Sequence, residues 1–342
     1  MQELFCCGKG PDSLYNEADV KAAASVLTGW KNNASTISSL FDSTRHDSTN
    51  KQFSAFYNNT IIQGKTGPTA GDEELDAMLD MIFATPEVAK YLCRRIYRWF
   101  VYYDIDSTVE NNIITPLANI LRANNYEIKP VLDALLKSEH FFDFLAKGCQ
   151  IKSPVDLVVG LCREFGVPFQ PANDYISNYG LQNYLVNWVS NMQQNIGDPP
   201  DVSGWKAYYQ EPQFYEIWIN SDTLPKRNQF TDTMIVNGYT FNGKKIQIDG
   251  LEFVKTLSSP GDPNKLIDDL VKSMFRIDIS TVSKNQLKID ILLGGQSSDI
   301  YWTDAWNLYQ STPTNTANTT TVKNRLRDLI KYLMDLSEYQ LA

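Results

Sequence analysis

The chain has 342 residues, 43% of them hydrophobic and 21% charged, with a formal net charge of −9. That length buries a proper core without staples, and that composition excludes a disordered chain. An acidic chain with no Lys/Arg stripe argues against nucleic acid as a partner, and no apolar run reaches the roughly 18 residues of a membrane span.

Helical periodicity runs through most of the chain. "QELFCCGKG" reads as the end of an amphipathic helix entered partway, with Gly8 as its stop. No export signal is visible there, and a further upstream segment is expected. Asn16 caps "EADVKAAASVLTGW", whose Val20, Ala24 and Leu27 form the expected apolar stripe. Residues 32–70 are rich in Asn, Ser, Thr and Gly and read as a long irregular loop. "DEELDAMLDMIFA" follows, with Leu75, Met78, Leu79 and Ile82 on one face. Thr85 and Pro86 read as N-cap and first residue of the next helix, "PEVAKYLCRRIYRWFVYY".

Further helices fit 108–124, 128–138, 154–165, 174–192, 213–234, 263–275, 284–293, 299–310 and 321–337. Ser153 and Pro154 repeat the cap signature, with Asp156 two residues on. Residues 234–250, with two Asn-Gly pairs among β-branched and aromatic residues, predict one small hairpin. Residues 311–320 read as a polar loop. The expected fold is therefore mainly α, a large multi-helix globular fold. Its two halves are 1–150, with the polar loop, and 151–342, with the hairpin, joined as one continuous domain.

Five cysteines without regular spacing (Cys6, Cys7, Cys93, Cys149, Cys162) make no disulfide framework, and Cys93 and Cys162 read as core residues. With two histidines, no CxxC and no HExxH, no metal and no cofactor are expected. "DIDSTVE", 104–110, fails as a calcium loop, because Val109 stands where the turn glycine belongs.

Three stretches are candidate ligand-binding sites. Arg45, His46 and Asp47 place an imidazole between opposite charges, yet no nucleophile, metal partner or oxyanion cradle accompanies them. The structural reading makes His46 an anchor of the 32–70 loop, bonded to Asp47 or a nearby carbonyl. Arg94 and Arg98 lie on one helical face and could receive an anion or a sugar. The bland alternative pairs them with acidic neighbours around a buried Trp99. In "DPPDVSGW", 198–205, a stiffened loop delivers Trp205, as a ligand platform or as a plug in the core. No residue is assigned as catalytic.

The stretches "QELFCCGKG", "NEADVKAAASVLTGW", "RHD…K", "GDEELDAMLDMIFATPEVAKYLCRRIYRWFV", "IKSPVDLVVG", "DPPDVSGW", "WINSDTL" and "SEYQLA" follow one another in order. Together they resemble the bacterial family known as domain of unknown function 1800, through essentially the whole chain. That family usually opens with an export signal and a further "NxARELxELxTLG" stretch. This chain starts inside that motif, and Cys6-Cys7 departs from it. The hairpin and residues 251–320 match least well. The resemblance implies an exported helical protein, periplasmic or at the cell surface. Its genes would neighbour an exported family resembling sulfatases and alkaline phosphatases, a protein partner by implication. No activity comes with the resemblance, so no catalytic residue carries over. The leading expectation is a non-enzymatic scaffold or accessory protein that binds a protein partner or a surface glycan. It is supported by 18 Tyr, 16 Phe and 7 Trp without a complete catalytic constellation. The rival is a hydrolase-like or carbohydrate-active enzyme using the His46/Asp47 loop and the Arg94/Arg98 helix.

Overall fold

The computed structural model describes residues 2–8, 13–169, 173–201, 204–205 and 215–342. The fold is mainly α, and its strands, among the described residues, form only two-stranded antiparallel sheets. The chain divides into two compact units, Met1–Asp143 and Phe144–Ala342.

In the first unit, α1 (Glu17–Val26) starts at a reciprocal cap. The Asn16 side chain accepts from the Asp19 amide at 3.1 Å, and the Asp19 carboxylate accepts from the Asn16 amide at 2.9 Å. The expected stripe is wrong by about one residue. Val20 and Leu27 are 45% and 40% exposed, while Asp19, Ala23 and Val26 are buried. The reason is polar. Asp19 takes the Ser54 amide and hydroxyl, both at 2.7 Å, and so turns its own face inward.

The 32–70 stretch is more regular than its composition suggests. β1 (Trp30–Asn33) pairs with β2 (Ser38–Phe41), and β3 (Lys51–Gln52) pairs with β4 (Ile61–Ile62). "KNNASTISSLF" lacks the β-branched alternation that marks a strand, so the first ladder is not legible in the sequence, and the second is only two residues long on each side. α2 (Ala70–Ala84) and α3 (Pro86–Phe100) follow as expected. Thr85 holds the N-cap position without capping: its hydroxyl donates to the Met81 carbonyl at 3.1 Å instead. The expected helix over 108–124 is built from α4 (Ser107–Val109), a π-helical turn (Glu110–Ile114) and α5 (Thr115–Ala123); α6 (Ile128–Leu136) and a 3-10 turn (Glu139–Phe142) follow. Phe53, Tyr57, Met78, Ile82 and Val88 belong to one apolar cluster of this unit.

In the second unit, α7 (Pro154–Glu164) opens with the expected cap, Ser153 accepting from the Asp156 amide at 3.2 Å. α8 (Tyr175–Asn191) follows. The helix expected over 213–234 begins only at Thr223, as α9 (Thr223–Val236). Pro225, which lacks an amide hydrogen, fits the first turn of a helix and not its interior. Residues 213–214 lie outside the described residues. The hairpin is β5 (Tyr239–Phe241) with β6 (Lys244–Ile246), turned by Asn242 and Gly243 at φ 49° and 70°. It docks on α8. Tyr239 stacks on Tyr184 at 3.8 Å between centroids, and Phe241 lies over Gly180, where a Cβ would come within 2.2 Å of the ring.

α10 (Gly250–Val254) was not expected; α11 (Pro263–Met274), α12 (Thr281–Leu287) with its π-helical extension Lys288–Leu292, and α13 (Ile300–Ser311) were. α14 (Thr316–Asp335) starts inside the expected polar loop. Asn315 caps it there, accepting from the Ala317 and Asn318 amides at 3.0 and 3.3 Å. One apolar cluster unites α7–α14; Trp302 belongs to it, fully buried, with its indole N–H donating to the Pro260 carbonyl at 2.8 Å.

Candidate functional site

The candidate site grows from the end of α1. Thr28 Oγ1 donates to the Ser25 carbonyl at 2.7 Å and accepts from the Asp47 amide at 2.8 Å. Gly29, at φ +87°, then turns the chain so tightly that a Cβ there would lie 2.8 Å from the Asp42 carbonyl oxygen. This turn brings the 45–51 stretch against α2.

His46 is held at both ends. Nδ1 lies 3.0 Å from the Thr28 carbonyl oxygen, and Nε2 lies 3.1 Å from Glu74 Oε1. Phe41 closes over the ring edge at 5.2 Å between centroids. Glu74 accepts twice more, from the Lys65 amide at 2.7 Å and from Lys51 Nζ at 2.6 Å. Lys51 also donates to the Asp47 carbonyl. The His46, Lys51 and Glu74 side chains are 2%, 1% and 0% exposed. Burial pushes the Glu74 carboxyl up, but the hydrogen bonds from Lys51, His46 and Lys65 outweigh it and hold the group below its ordinary value.

The neighbours of His46 face elsewhere. Asp47 accepts from the Thr49 hydroxyl and amide at 2.7 and 2.9 Å, which lowers its carboxyl. Arg45 is exposed, with Nε 3.7 Å from Asp42. Asp42 is bonded by Lys31 and Thr44 and held down at about 2.

Arg94 belongs to a different set. Its Nε and Nη2 grip Glu110 at 2.8 and 2.7 Å, and Nη1 reaches Glu87. Burial pulls this guanidinium down, and the two carboxylates more than restore it, leaving it above the ordinary arginine value. Arg98 donates from Nε to the Tyr103 carbonyl at 3.2 Å. Trp99, read as buried in the bland alternative, is 62% exposed. The His46 set and the Arg94 set share no residue.

Trp205, in the second unit, is half-buried. It donates to the Gln193 carbonyl at 3.2 Å and meets Trp218 edge-on, 5.8 Å between centroids. Residues 202–203 of its loop lie outside the described residues.

Thr28, Lys51 and Glu74 were absent from the sequence candidates. A signal for Glu74 existed: with Gly71, Met78 and Ile82 it lies on the buried stripe of α2, and a carboxylate on such a stripe needs partners. The second unit hides another polar knot. Arg227, fully buried, donates to the Gln340 side chain at 2.7 Å and to the Lys152 carbonyl at 2.9 Å. Lys152 donates to the Tyr339 carbonyl at 2.7 Å, and its amide donates to the Gln340 carbonyl at 2.8 Å. Burial pulls Lys152 down to about 8 and Arg227 to about 10, and lifts Glu164, bonded to the Tyr339 hydroxyl, to about 7. The 339–342 segment is thereby tied to 150–152, with an Ile151–Leu341 bridge between them.

Among the described residues no group of three or more His, Cys, Asp or Glu side chains could hold a metal ion, and no helix is long and apolar enough to cross a membrane. Fold and site define a mainly α protein whose polar constellations are buried and bonded to its own chain. The family model described as Protein of unknown function (DUF1800) matches residues 1–341, and the chain belongs to that family. No curated protein and no solved structure matches it.

Proposed function

We propose that this chain is a non-enzymatic helical accessory protein, exported to the periplasm or cell surface, that binds a neutral surface glycan. The observation that carries the non-enzymatic part is the burial of His46. A general base must reach a reacting group, and both ring nitrogens of His46 are turned to Thr28 and Glu74 inside the protein.

The ligand class rests on α8. Its 17 residues include no charged side chain, in a chain of net charge −9. Leu181, Leu185 and Val189 face the core, while Tyr175 and Tyr179 are 62% and 70% exposed. Gln182, Asn183 and Asn187 are exposed with them. Aromatic faces flanked by planar amides suit the apolar faces and hydroxyls of a sugar, and the missing charges favour an uncharged one.

The test is retention of the purified protein on immobilised neutral and acidic polysaccharides. Neutral chains should retain the native protein, and Tyr175→Ala with Tyr179→Ala should lose it while keeping the melting midpoint. Equal retention by the double variant would remove α8 from the reading. Capture of a sulfatase-like or phosphatase-like exported protein through the same tyrosines would replace the glycan with a protein partner.

A further inference from the structure

In the knot at Lys152 the Arg227 guanidinium is 0% exposed and incompletely bonded. Nε donates to the Gln340 side chain and Nη2 to the Lys152 carbonyl, but Nη1, enclosed with them, meets no acceptor among the described residues. Arg227 is not ion-paired there, and neither is Lys152, whose ammonium donates to the Tyr339 carbonyl and lies 4.0 Å from the centre of the Tyr339 ring. Asp156, the carboxylate whose charge reaches Arg227, is exposed and committed to the α7 cap. Glu164 acts on Lys152 instead, and accepts from the Tyr339 hydroxyl at 3.3 Å. Arg94 supplies the contrast within the same chain. Two carboxylates grip Arg94 and hold it above the ordinary arginine value, whereas burial pulls Arg227 below it unopposed by any carboxylate in contact.

We infer that the knot binds a small monovalent anion, a halide such as chloride, at Arg227 Nη1. A buried charge is stable when it is paired, and here the chain provides no pair. A buried charged donor left without an acceptor costs more than a neutral one, so an acceptor gains most at this atom. In the low-dielectric interior an anion outcompetes a neutral water for the same N–H, because it also answers the charges of Arg227 and Lys152. Enclosure sets the size. A halide takes up about the room of one water molecule. Sulfate, phosphate or a carboxylate on a stem would force α9 and the 339–340 segment apart. The bound ion would join α9 to residues 152 and 340, the three places where Arg227 and its acceptors sit. No residue of the α8 face takes part, so this site stands or falls separately from the glycan reading.

The experiment follows the chloride NMR line of a sodium chloride solution of the full chain, with bromide as competitor. Alongside it, urea unfolding is compared in sodium chloride and in sodium gluconate at one ionic strength, gluconate being too large to enter. The native chain should broaden the chloride line, and bromide should remove the excess. Raising chloride to about ten times its Kd in place of gluconate should multiply the folding constant by about ten. Arg227→Met combined with Gln340→Leu removes the donor and its acceptor together, an exchange the core tolerates better than either change alone, and should abolish both effects. Equal folding constants of the native chain in chloride and gluconate overturn the inference and leave water as the acceptor. So does excess broadening that persists in the folded double variant, which places the ion elsewhere. The native chain crystallised from bromide tests the position without any variant. Anomalous density at hydrogen-bond distance from Arg227 Nη1 supports the site, and none there overturns it.

Discussion

Lys51 Nζ stands 2.6 Å from Glu74 Oε2, with the two side chains 1% and 0% exposed. A pair sealed in this way differs from the surface ion pairs elsewhere in the chain, which solvent screens. Breaking it from one side leaves the other charge buried and uncompensated. Lys51→Met should therefore cost about 3–5 kcal/mol in urea unfolding. Combining it with Glu74→Leu should cost clearly less than the two single changes added together. A strictly additive double variant would show that the pair is not coupled.

Acid should find the same group. The Glu74 carboxyl is depressed below its ordinary 4.5 in the folded chain. Its stabilising contribution is therefore complete above that ordinary value and disappears as the pH falls through the lower, folded one. The native protein should lose stability on acidification from about pH 5 downward more steeply than Glu74→Gln. Asp42 and Asp47, also depressed, titrate in both proteins, so the difference between the two curves isolates Glu74. Parallel urea midpoints across that range would refute the assignment.

Gly29 should not tolerate a side chain. Its φ of +87° costs an L-residue about 1–2 kcal/mol, and the added Cβ would press on the Asp42 carbonyl, a backbone atom with no rotamer to yield. Gly67, at φ +97° with nothing within 4 Å of a built Cβ, is the internal control. Gly29→Ala should lower the melting midpoint well beyond Gly67→Ala. Equal losses would mean that backbone conformation alone accounts for both.

The cap on α7 is a smaller effect. Ser153→Ala removes the acceptor for the Asp156 amide and should cost about 1 kcal/mol. An unchanged melting midpoint would show that the cap contributes nothing measurable. Ser153→Asn, which can cap as well as Ser, should recover most of the loss.

The helices were legible because 3.6-residue periodicity survives without tertiary information. Ser153 and Asn16 were legible as caps because a cap is local. What failed was decided at long range. The face of α1 could not be read from Val20, Ala24 and Leu27, because Ser54, 35 residues on, sets the orientation through Asp19. β1 and β2 are rich in Asn, Lys and Ser, which carry little strand preference, and β3 and β4 are two residues each, too short to show a period; the stretch is also tied down at long range, Ser54 to Asp19 and Lys51 and Lys65 to Glu74. At the candidate site, "RHD" and "LTGW" stood out separately in the sequence. Only the turn at Gly29 joins them, and Glu74 enters from 28 residues past His46.

The knot at Lys152 has a consequence for synthesis. Lys152 donates to a carbonyl 187 residues further along the chain, and Arg227 to a side chain 113 residues further. Until residues 339–340 leave the ribosome, two basic side chains destined for the interior lack acceptors that the finished unit supplies. α7 to α14 can form and collapse before then, but closing contacts of such separation come late. A nascent chain from which residues 339–340 have not yet emerged should accordingly remain open to protease beyond residue 144, and the emergence of those residues should protect it in one step. The 339–340 segment would then act as the timer for the folding of the second unit.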